Sequence, residues 1–146
     1  MNCNKLLAIL INYHHNFRIL HWKVTGCHFD EYHELCANYY ETLQEHVDLI
    51  AEIGIIYNEQ PLGLVEAFEL LKKDSDNYKI IDPKDNYDEE DIIENIDIMF
   101  KDIMKAIESL LEESKIDKNP GARSKLEGMY EFYDTECNYK NKRRKK

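Results

Sequence analysis

The stretch from residue 21 to residue 52 constrains the fold more than any other part of the chain. It reads HWKVTGCHFDEYHELCANYYETLQEHVDLIAE and places two histidines, His21 and His33, ahead of two carboxylates, Asp48 and Glu52. The pattern is that of a helix, a sharp bend at Gly26 and a second helix. The two histidines therefore lie on opposite arms of a helical hairpin, where they can face each other.

The four residues fit one metal site only if two chains contribute to it. Asp48 and Glu52 share a face of the second helix, because residues four apart lie one above the other. His33 precedes Asp48 by fifteen residues, which is about 22 Å of helix rise. If this helix packs antiparallel to its own copy about a two-fold axis near Glu41, each histidine pair meets the partner's carboxylate pair. The sequence predicts two such sites per dimer, with ligands suited to iron, zinc or manganese.

At these residues the sequence resembles the Dps family, the mini-ferritins named as DNA-binding proteins from starved cells. The match comprises the pair His21-Trp22, a histidine twelve residues after the first, D-x-x-x-E fifteen residues beyond that, and the NEQPLG turn that follows. The resemblance is good over residues 5 to 72 and extends to the last two helices in outline. It implies a ferroxidase that oxidises Fe(II), commonly with hydrogen peroxide, in a hollow dodecamer that stores ferric mineral.

The resemblance also implies roles for individual residues. His21, His33, Asp48 and Glu52 become the catalytic iron ligands of an inter-subunit site that can take two irons, and Trp22 a candidate electron donor. Glu34 is a candidate for mineral nucleation, although the residues one turn later, Ala37 and Asn38, depart from the acidic pattern of the family. The family's aspartate-lined pore is also altered, since this chain has Asp117 followed by KNPGARSK.

The rest of the chain predicts an all-α, ferritin-like four-helix bundle with a short extra helix between the second and third long helices. Apolar periodicity indicates helices over residues 5–24 and 30–57, the second with Asp30 as N-cap, and a short helix that ends near Lys72. Residues 73–87 read as a crossover loop. A third helix begins near Asp88, and a fourth follows Asn119 as N-cap and Pro120 as first residue.

Histidine placement argues against a metal centre inside one subunit. A conventional ferritin-like di-iron centre places E-x-x-H motifs on two helices of one bundle. This chain has no E-x-x-H, and its third and fourth helices have no histidine. The other histidines, His14, His15, His28 and His46, are interpreted as packing or surface residues.

Composition indicates one globular domain of 146 residues, 43% hydrophobic and 33% charged. We expect a cytoplasmic protein, with nucleoid association left open, because no run of eighteen apolar residues and no secretory signal is present. The four cysteines are expected to be free thiols. A zinc site from Cys27, His33 and Cys36 is the alternative, and it competes with iron for His33.

The net charge of −10 is unevenly distributed. Six basic residues end the chain: Lys140, Lys142, Arg143, Arg144, Lys145 and Lys146. We therefore divide the chain into a ferritin-like domain, residues 1–139, and a basic tail, residues 140–146. Such a tail resembles those by which some Dps proteins hold DNA, and twelve copies would bind multivalently.

Three functional hypotheses follow. The first is a dodecameric ferroxidase that detoxifies iron and peroxide and protects DNA. The second is a non-catalytic Dps-like shell that binds and compacts DNA through its basic tails. The third is a four-helix protein that uses zinc or manganese structurally at the dimer interface.

Overall fold

The fold is a bundle of four long helices with a short helix in its longest connection. The computed structural model describes residues 2–145. Its helices are α1 (Cys3–Lys23), α2 (Phe29–Ile56), α3 (Leu64–Lys72), α4 (Glu89–Leu111), α5 (Ser114–Asp117), α6 (Pro120–Asp134), a π-helix (Thr135–Asn141) and α7 (Lys142–Arg144). The predicted all-α four-helix bundle with a short extra helix is confirmed. None of the helices in residues 2–145 has the length and apolar composition that a membrane crossing requires.

Apolar side chains of the long helices meet in one core. Tyrosines and phenylalanines are the largest of the fully buried side chains: Tyr13, Phe17, Tyr39, Phe100 and Tyr133. The rings of Phe17, Tyr39 and Phe100 lie 4.9 to 5.5 Å apart, centroid to centroid. Most of the apolar side chains of α4 are buried, and Met99 and Met104 pack in the core. Packed rings therefore occupy the interior of the bundle.

One of the two predicted helix caps forms, at Asn119, and a further cap forms at Asp88, where the sequence predicted only the start of a helix. Asp88 and Asp91 make a reciprocal capping box at the start of α4. Asn119 accepts from the N–H groups of Gly121 and Ala122 ahead of α6, whose first residue is Pro120. Local capping chemistry therefore sets the start of the two helices that the family resemblance covers least well.

The predicted N-cap of α2, Asp30, is wrong, because the helix begins before this residue. Phe29 is the first helical residue, and His28 holds the N-cap position. The chain turns at Gly26, whose φ of 115° is open to glycine and strained for other residues. The N–H of Phe29 donates to the Gly26 carbonyl at 3.1 Å, which closes the bend before Asp30. Asp30 instead lies in the first turn, where its charge complements the helix dipole.

The crossover loop fixes the start of α4 beside the end of α1. Asn16 on α1 donates to the carbonyl of Lys79 at 2.9 Å and accepts from the N–H of Ile81 at 3.2 Å. The N–H of Tyr87 donates to the Lys23 carbonyl at 3.0 Å. This is also where the isolated bridge between Val24 and Tyr87 lies. The loop thereby braces the corner that carries His21.

Helical structure continues through the basic end of the chain, which the sequence analysis did not anticipate. α6 runs into the π-helix and then into α7, so the expected boundary after residue 139 falls inside the π-helix. Glu136, Cys137 and Asn141 of the π-helix are buried. The Asn141 side-chain amide donates to the Ile93 carbonyl at 2.9 Å. The C-terminal segment is thus packed against α4.

Candidate metal centre

His21 and His33 form a stacked pair at the corner between α1 and α2. Their ring centroids are 3.7 Å apart, and their planes are inclined by 16°. His21 lies in the last turn of α1, and His33 lies in the second turn of α2. Packing of the two helices across the Gly26 bend therefore brings these two candidate ligands together.

Each imidazole is hydrogen-bonded to the main chain of the other histidine. Nδ1 of His21 lies 2.7 Å from the carbonyl oxygen of His33, and Nδ1 of His33 lies 2.7 Å from the carbonyl oxygen of His21. Because a carbonyl oxygen only accepts, each Nδ1 carries the proton. In the neutral ring Nε2 then presents a lone pair, which is the arrangement found in metal-ligating histidines.

The position of His21 at a helix end explains why its carbonyl is available. The last four carbonyls of an α-helix have no partner within the helix. The N–H of Val24 satisfies the first of them, on Leu20, at 3.0 Å. The next is the carbonyl of His21, which accepts from His33. One contact therefore satisfies the helix end and orients a candidate ligand.

Further rings and a guanidinium extend the histidine stack into a column. Phe29 stacks on His33 with centroids 4.9 Å apart, and Tyr40 meets His21 at 5.5 Å in a T-shaped contact. The guanidinium carbon of Arg18 lies 4.3 Å from the centre of the Tyr40 ring. Both imidazoles are therefore enclosed between aromatic neighbours.

The two candidate carboxylates lie far from the histidines of the same chain. Asp48 and Glu52 are exposed on successive turns of one face of α2. Since α2 is continuous from residue 29 to residue 56, His33 and Asp48 are separated by about 22 Å of helix. Within residues 2–145, no three His, Cys, Asp or Glu side chains are close enough to hold a metal ion together. The structure thus joins the two histidines but not the four predicted ligands.

Large apolar side chains are exposed both near the histidine pair and near the carboxylate pair. Next to the histidines, Trp22 is 56% and Phe29 is 39% exposed. Beyond Glu52, at the end of α2 and on α3, six more are exposed: Ile55, Ile56, Leu64, Val65, Phe68 and Leu70. Exposed apolar patches of this kind mark protein–protein contacts.

Comparison with known proteins agrees with this architecture. The family model of the ferritin-like domain matches residues 2–133. The chain belongs to the ferritin-like family. Its fold is similar to the crystal structure of Dps from Staphylococcus aureus, with a TM-score of 0.81, 22% identity, and coverage of 97% of this chain and 90% of that one. Helicobacter cinaedi CAIP is also similar, with a TM-score of 0.57, 16% identity, and coverage of 93% and 99%.

No curated protein matches the sequence. The predicted resemblance to Dps is confirmed as a resemblance of fold.

His46 of this ferritin-like chain reaches the bundle interior. Nδ1 of His46 lies 2.6 Å from the hydroxyl oxygen of Tyr133, and burial lowers the pKa of His46 to about 4. The ring is therefore neutral near pH 7 and packs against Phe132 and Tyr133. These contacts agree with the packing role expected from the sequence.

The two accessory candidates on this ferritin-like chain are exposed. Trp22 follows His21 directly, and its ring contacts His15 at 6.0 Å in a T-shaped arrangement. Glu34 follows His33 directly on the solvent side of α2. Both side chains are accessible to a partner subunit or to solvent.

The two thiols of the alternative zinc site differ in exposure, because Cys36 is buried and Cys27 is exposed. All four cysteines are free. Cys36 is fully buried, and burial raises the pKa of its thiol to about 12. Cys27 is exposed at the bend. The structure therefore gives no support to zinc binding by Cys27, His33 and Cys36.

Two of the C-terminal basic residues contact a buried acid and its neighbour. Nζ of Lys140 lies 2.8 Å from Oε2 of Glu136, whose Oε1 accepts from the Tyr39 hydroxyl at 2.9 Å. The guanidinium of Arg144 donates to the same tyrosine oxygen at 3.4 Å. Lys140 and Arg144 therefore contact the Glu136–Tyr39 pair from the surface of the bundle.

Of the remaining basic residues, Lys145 forms an ion pair, whereas Lys142 and Arg143 are exposed without one among the described residues. Nζ of Lys145 lies 3.2 Å from Oδ1 of Asp97 on α4. Lys142 and Arg143 are exposed. Lys146 lies outside the described residues. Among residues 140–145, Lys140, Lys142, Arg143 and Lys145 are all exposed, and Lys142 and Arg143 are the two basic residues without an acceptor within the described chain.

The residues that orient the histidines were not among those predicted from the sequence. Phe29 precedes His33 by four residues, and Tyr40 follows it by seven, which is the spacing of one helix face. That signal was present in the sequence. The reciprocal Nδ1 to carbonyl bonds had no sequence signal, because they depend on how closely α1 and α2 approach.

Proposed function

We propose that the protein is a Dps-type ferroxidase and iron-storage protein that oxidises Fe(II), with hydrogen peroxide as oxidant, and thereby protects DNA from oxidative damage. Each site would combine His21 and His33 of one subunit with Asp48 and Glu52 of the partner subunit, with room for two irons. The observation that carries the proposal is the reciprocal pair of Nδ1 bonds. It leaves the Nε2 lone pair of each of the two stacked imidazoles for a metal.

A second copy of the chain supplies what this half-site lacks. His33 and the two carboxylates occupy opposite halves of one continuous helix, and His21 is stacked on His33 from the end of α1. Antiparallel docking of two copies of α2 brings each half against the other and completes two sites at once. The same docking covers exposed Trp22 and Phe29 of one copy with the apolar end of α2 and α3 of the other. Membership of the ferritin-like family and the likeness to Dps favour a homo-oligomer, and we propose a dodecamer built from such dimers.

The ligand set suits iron redox chemistry. Two Fe(II) ions each give one electron to hydrogen peroxide, the O–O bond breaks, and two protons complete two molecules of water. No hydroxyl radical leaves the site, because both electrons are delivered together. The neutral imidazoles and the carboxylates bind Fe(II) and also stabilise Fe(III). The net charge of −10 per chain attracts the cationic substrate.

The competing DNA-compacting shell has less support. Lys140, Arg144 and Lys145 already contact acceptors within the chain, so Lys142 and Arg143 are the basic residues among 140–145 that could bind a phosphate backbone without giving up a contact within the described chain. Counterion release grows with the number of phosphates neutralised, so two cations per subunit give weak, salt-sensitive binding. We propose a cytoplasmic protein in which oxidation of iron, rather than DNA compaction, is the main protective function.

The proposal is tested by anaerobic oxidation of Fe(II) after addition of hydrogen peroxide, followed optically. We expect His33→Ala and Asp48→Ala to lower the initial rate by about 100-fold or more, since each removes a ligand from every site. His28→Ala, an exposed histidine at the same corner, is the matched control and should retain the wild-type rate. Light scattering verifies that the assembly persists. Equal, slow oxidation by all four proteins would overturn the proposal, and zinc or manganese in protein purified without added metal would favour the structural-metal hypothesis.

A further inference from the structure

Phe29 holds an exposed position that its apolar ring does not favour. It is the first residue of α2, with 39% of its surface in contact with solvent. Its ring stacks on His33, inclined by 23° with centroids 4.9 Å apart. Residues four apart are neighbours on a helix surface, so Phe29 covers the outer face of this imidazole from within the same helix.

Tyr40 makes the corresponding contact on the other side of the histidine pair, across two helices. It lies on α2, and its ring meets His21 of α1 at 5.5 Å and His14 of α1 at 6.0 Å, both in T-shaped contacts. Arg18, one turn before His21, places its guanidinium carbon 4.3 Å from the centre of the Tyr40 ring. The Tyr40 ring is therefore held in place and closes the second side of the column.

We infer that Phe29 and Tyr40 are positioning residues that hold the imidazoles of His21 and His33 in their ligand orientation before a metal binds. This inference rests on the ferroxidase site proposed above. The Nδ1 bonds fix which nitrogen carries the proton, and the flanking rings restrict rotation of the imidazole planes. A ligand that is already ordered loses less side-chain entropy when the metal binds.

Loss of the flanking rings should therefore weaken metal binding without changing the rate of oxidation at saturation. Without the flanking rings, each imidazole samples more rotamers, and binding has to restrict them. Ordering one rotamer-rich side chain corresponds to between about threefold and tenfold in a dissociation constant. The ligands themselves remain, so the geometry of the metal-bound state and its oxidation rate at saturation are retained.

The experiment uses Co(II), a redox-silent ion that accepts the same nitrogen and oxygen ligands. The assembled protein is titrated anaerobically, and the visible absorption of bound Co(II) gives both the Kd and the ligand-field bands. Phe29→Leu and Tyr40→Leu keep apolar bulk but remove the flat ring, whereas Phe29→Tyr and Tyr40→Phe keep it. Tyr139→Leu, an exposed ring in the C-terminal segment, is the matched control.

We expect the two leucine variants to raise the Kd for Co(II) by between about threefold and tenfold. Their bands at saturation and their kcat for Fe(II) should stay as in the wild type, while KM rises. The ring-retaining variants and Tyr139→Leu should bind with the wild-type Kd. A purely structural role would lower the unfolding temperature without this split between KM and kcat.

Wild-type Kd values in both leucine variants would overturn the positioning role while leaving the iron site intact. If wild-type protein shows no Co(II) bands that disappear in His33→Ala, the proposed metal site fails, and the positioning role fails with it. Changed bands at saturation in the leucine variants would show an altered ligand set, which also contradicts the inference.

Discussion

The histidine corner, formed by His21 and His33, and the C-terminal segment, residues 135–145, both carry clusters of polar side chains on a packed bundle. They differ in whether these polar groups find hydrogen-bond partners within the chain. In the C-terminal segment, buried Glu136 is satisfied by Tyr39 and Lys140 of the same chain. At the histidine corner, Nδ1 of each imidazole is satisfied and Nε2 is left for a ligand. The carboxylates that we propose as further ligands, Asp48 and Glu52, lie about 22 Å from His33 along α2.

This is the difference that we expect between a structural cluster and a functional one. A buried polar network in which the groups satisfy each other contributes to the uniqueness of the fold. A cluster that is oriented on one side and open on the other is prepared for something outside the chain. The exposed apolar residues around the open cluster indicate that this includes a second subunit.

The largest expected effect comes from breaking the apolar surface on α3. Val65→Asp places a charge in the proposed dimer contact, where a buried unpaired carboxylate is strongly disfavoured. We expect dissociation into smaller species and loss of peroxide-dependent oxidation of at least about tenfold, with helicity retained. Tyr139→Asp is the matched control, because the two residues are similarly exposed, at 67% and 66%. Light scattering and circular dichroism measure the outcome, and an intact, active assembly of the Val65 variant would contradict the proposed contact.

An intermediate effect is expected from removing the carboxylate at the centre of the C-terminal cluster. Glu136→Ala leaves the Tyr39 hydroxyl and the Lys140 ammonium without their acceptor. We expect the free energy of unfolding to fall by about 2 to 3 kcal/mol, measured by urea denaturation at fixed protein concentration. Glu127, which pairs with Arg123 at 3.6 Å on the exposed face of α6, provides the control. Glu127→Ala should cost less than about 1 kcal/mol. Similar losses in both variants would show that the buried network adds nothing special.

The smallest effect is a pH dependence at the contact between α4 and the C-terminal segment. Partial burial by itself raises the pKa of Asp97, but hydrogen bonds from Lys101 and Lys145 lower this pKa below its usual value. The folded state therefore favours the charged carboxylate, and its stabilisation is present above the unfolded pKa, about 3.9, and is lost as the pH falls through the lowered pKa. Thermal unfolding of Asp97→Asn should lie below wild type at pH 6 and converge with it in acid. Asp76→Asn, an exposed loop variant, should show a constant difference, and a constant difference for Asp97→Asn as well would refute the assignment.

The sequence predicted most of the fold because its signals were local. Apolar periodicity located the long helices, and the Asn119-Pro120 pair located the start of α6. The bend at Gly26 was also readable, although the first residue of α2 was not, since a main-chain hydrogen bond closes the turn there. Spacing alone placed the two histidines on facing helix arms.

What the sequence did not predict depends on contacts between distant residues. In the π-helix, Glu136 is hydrogen-bonded to Tyr39 and Asn141 to the Ile93 carbonyl. No local sequence pattern predicts partners so distant in the chain. Arg144 and Lys145 read as part of a free tail because their acceptors, Tyr39 and Asp97, are distant in sequence, 105 residues away in the case of Tyr39. The stacked histidines and their flanking rings likewise required the approach of α1 to α2.

The most direct test of the central claim mixes two inactive variants. His33→Ala and Asp48→Ala subunits are refolded together in equal amounts, mixed assembly is verified by native mass spectrometry, and anaerobic Fe(II) oxidation by hydrogen peroxide is measured. If each site takes histidines from one subunit and carboxylates from its partner, half of the dimers are mixed and each mixed dimer has one intact site. The account predicts recovery of about one quarter of the wild-type rate. A rate no higher than that of the separate variants would contradict it, because a site within one chain cannot be repaired by mixing.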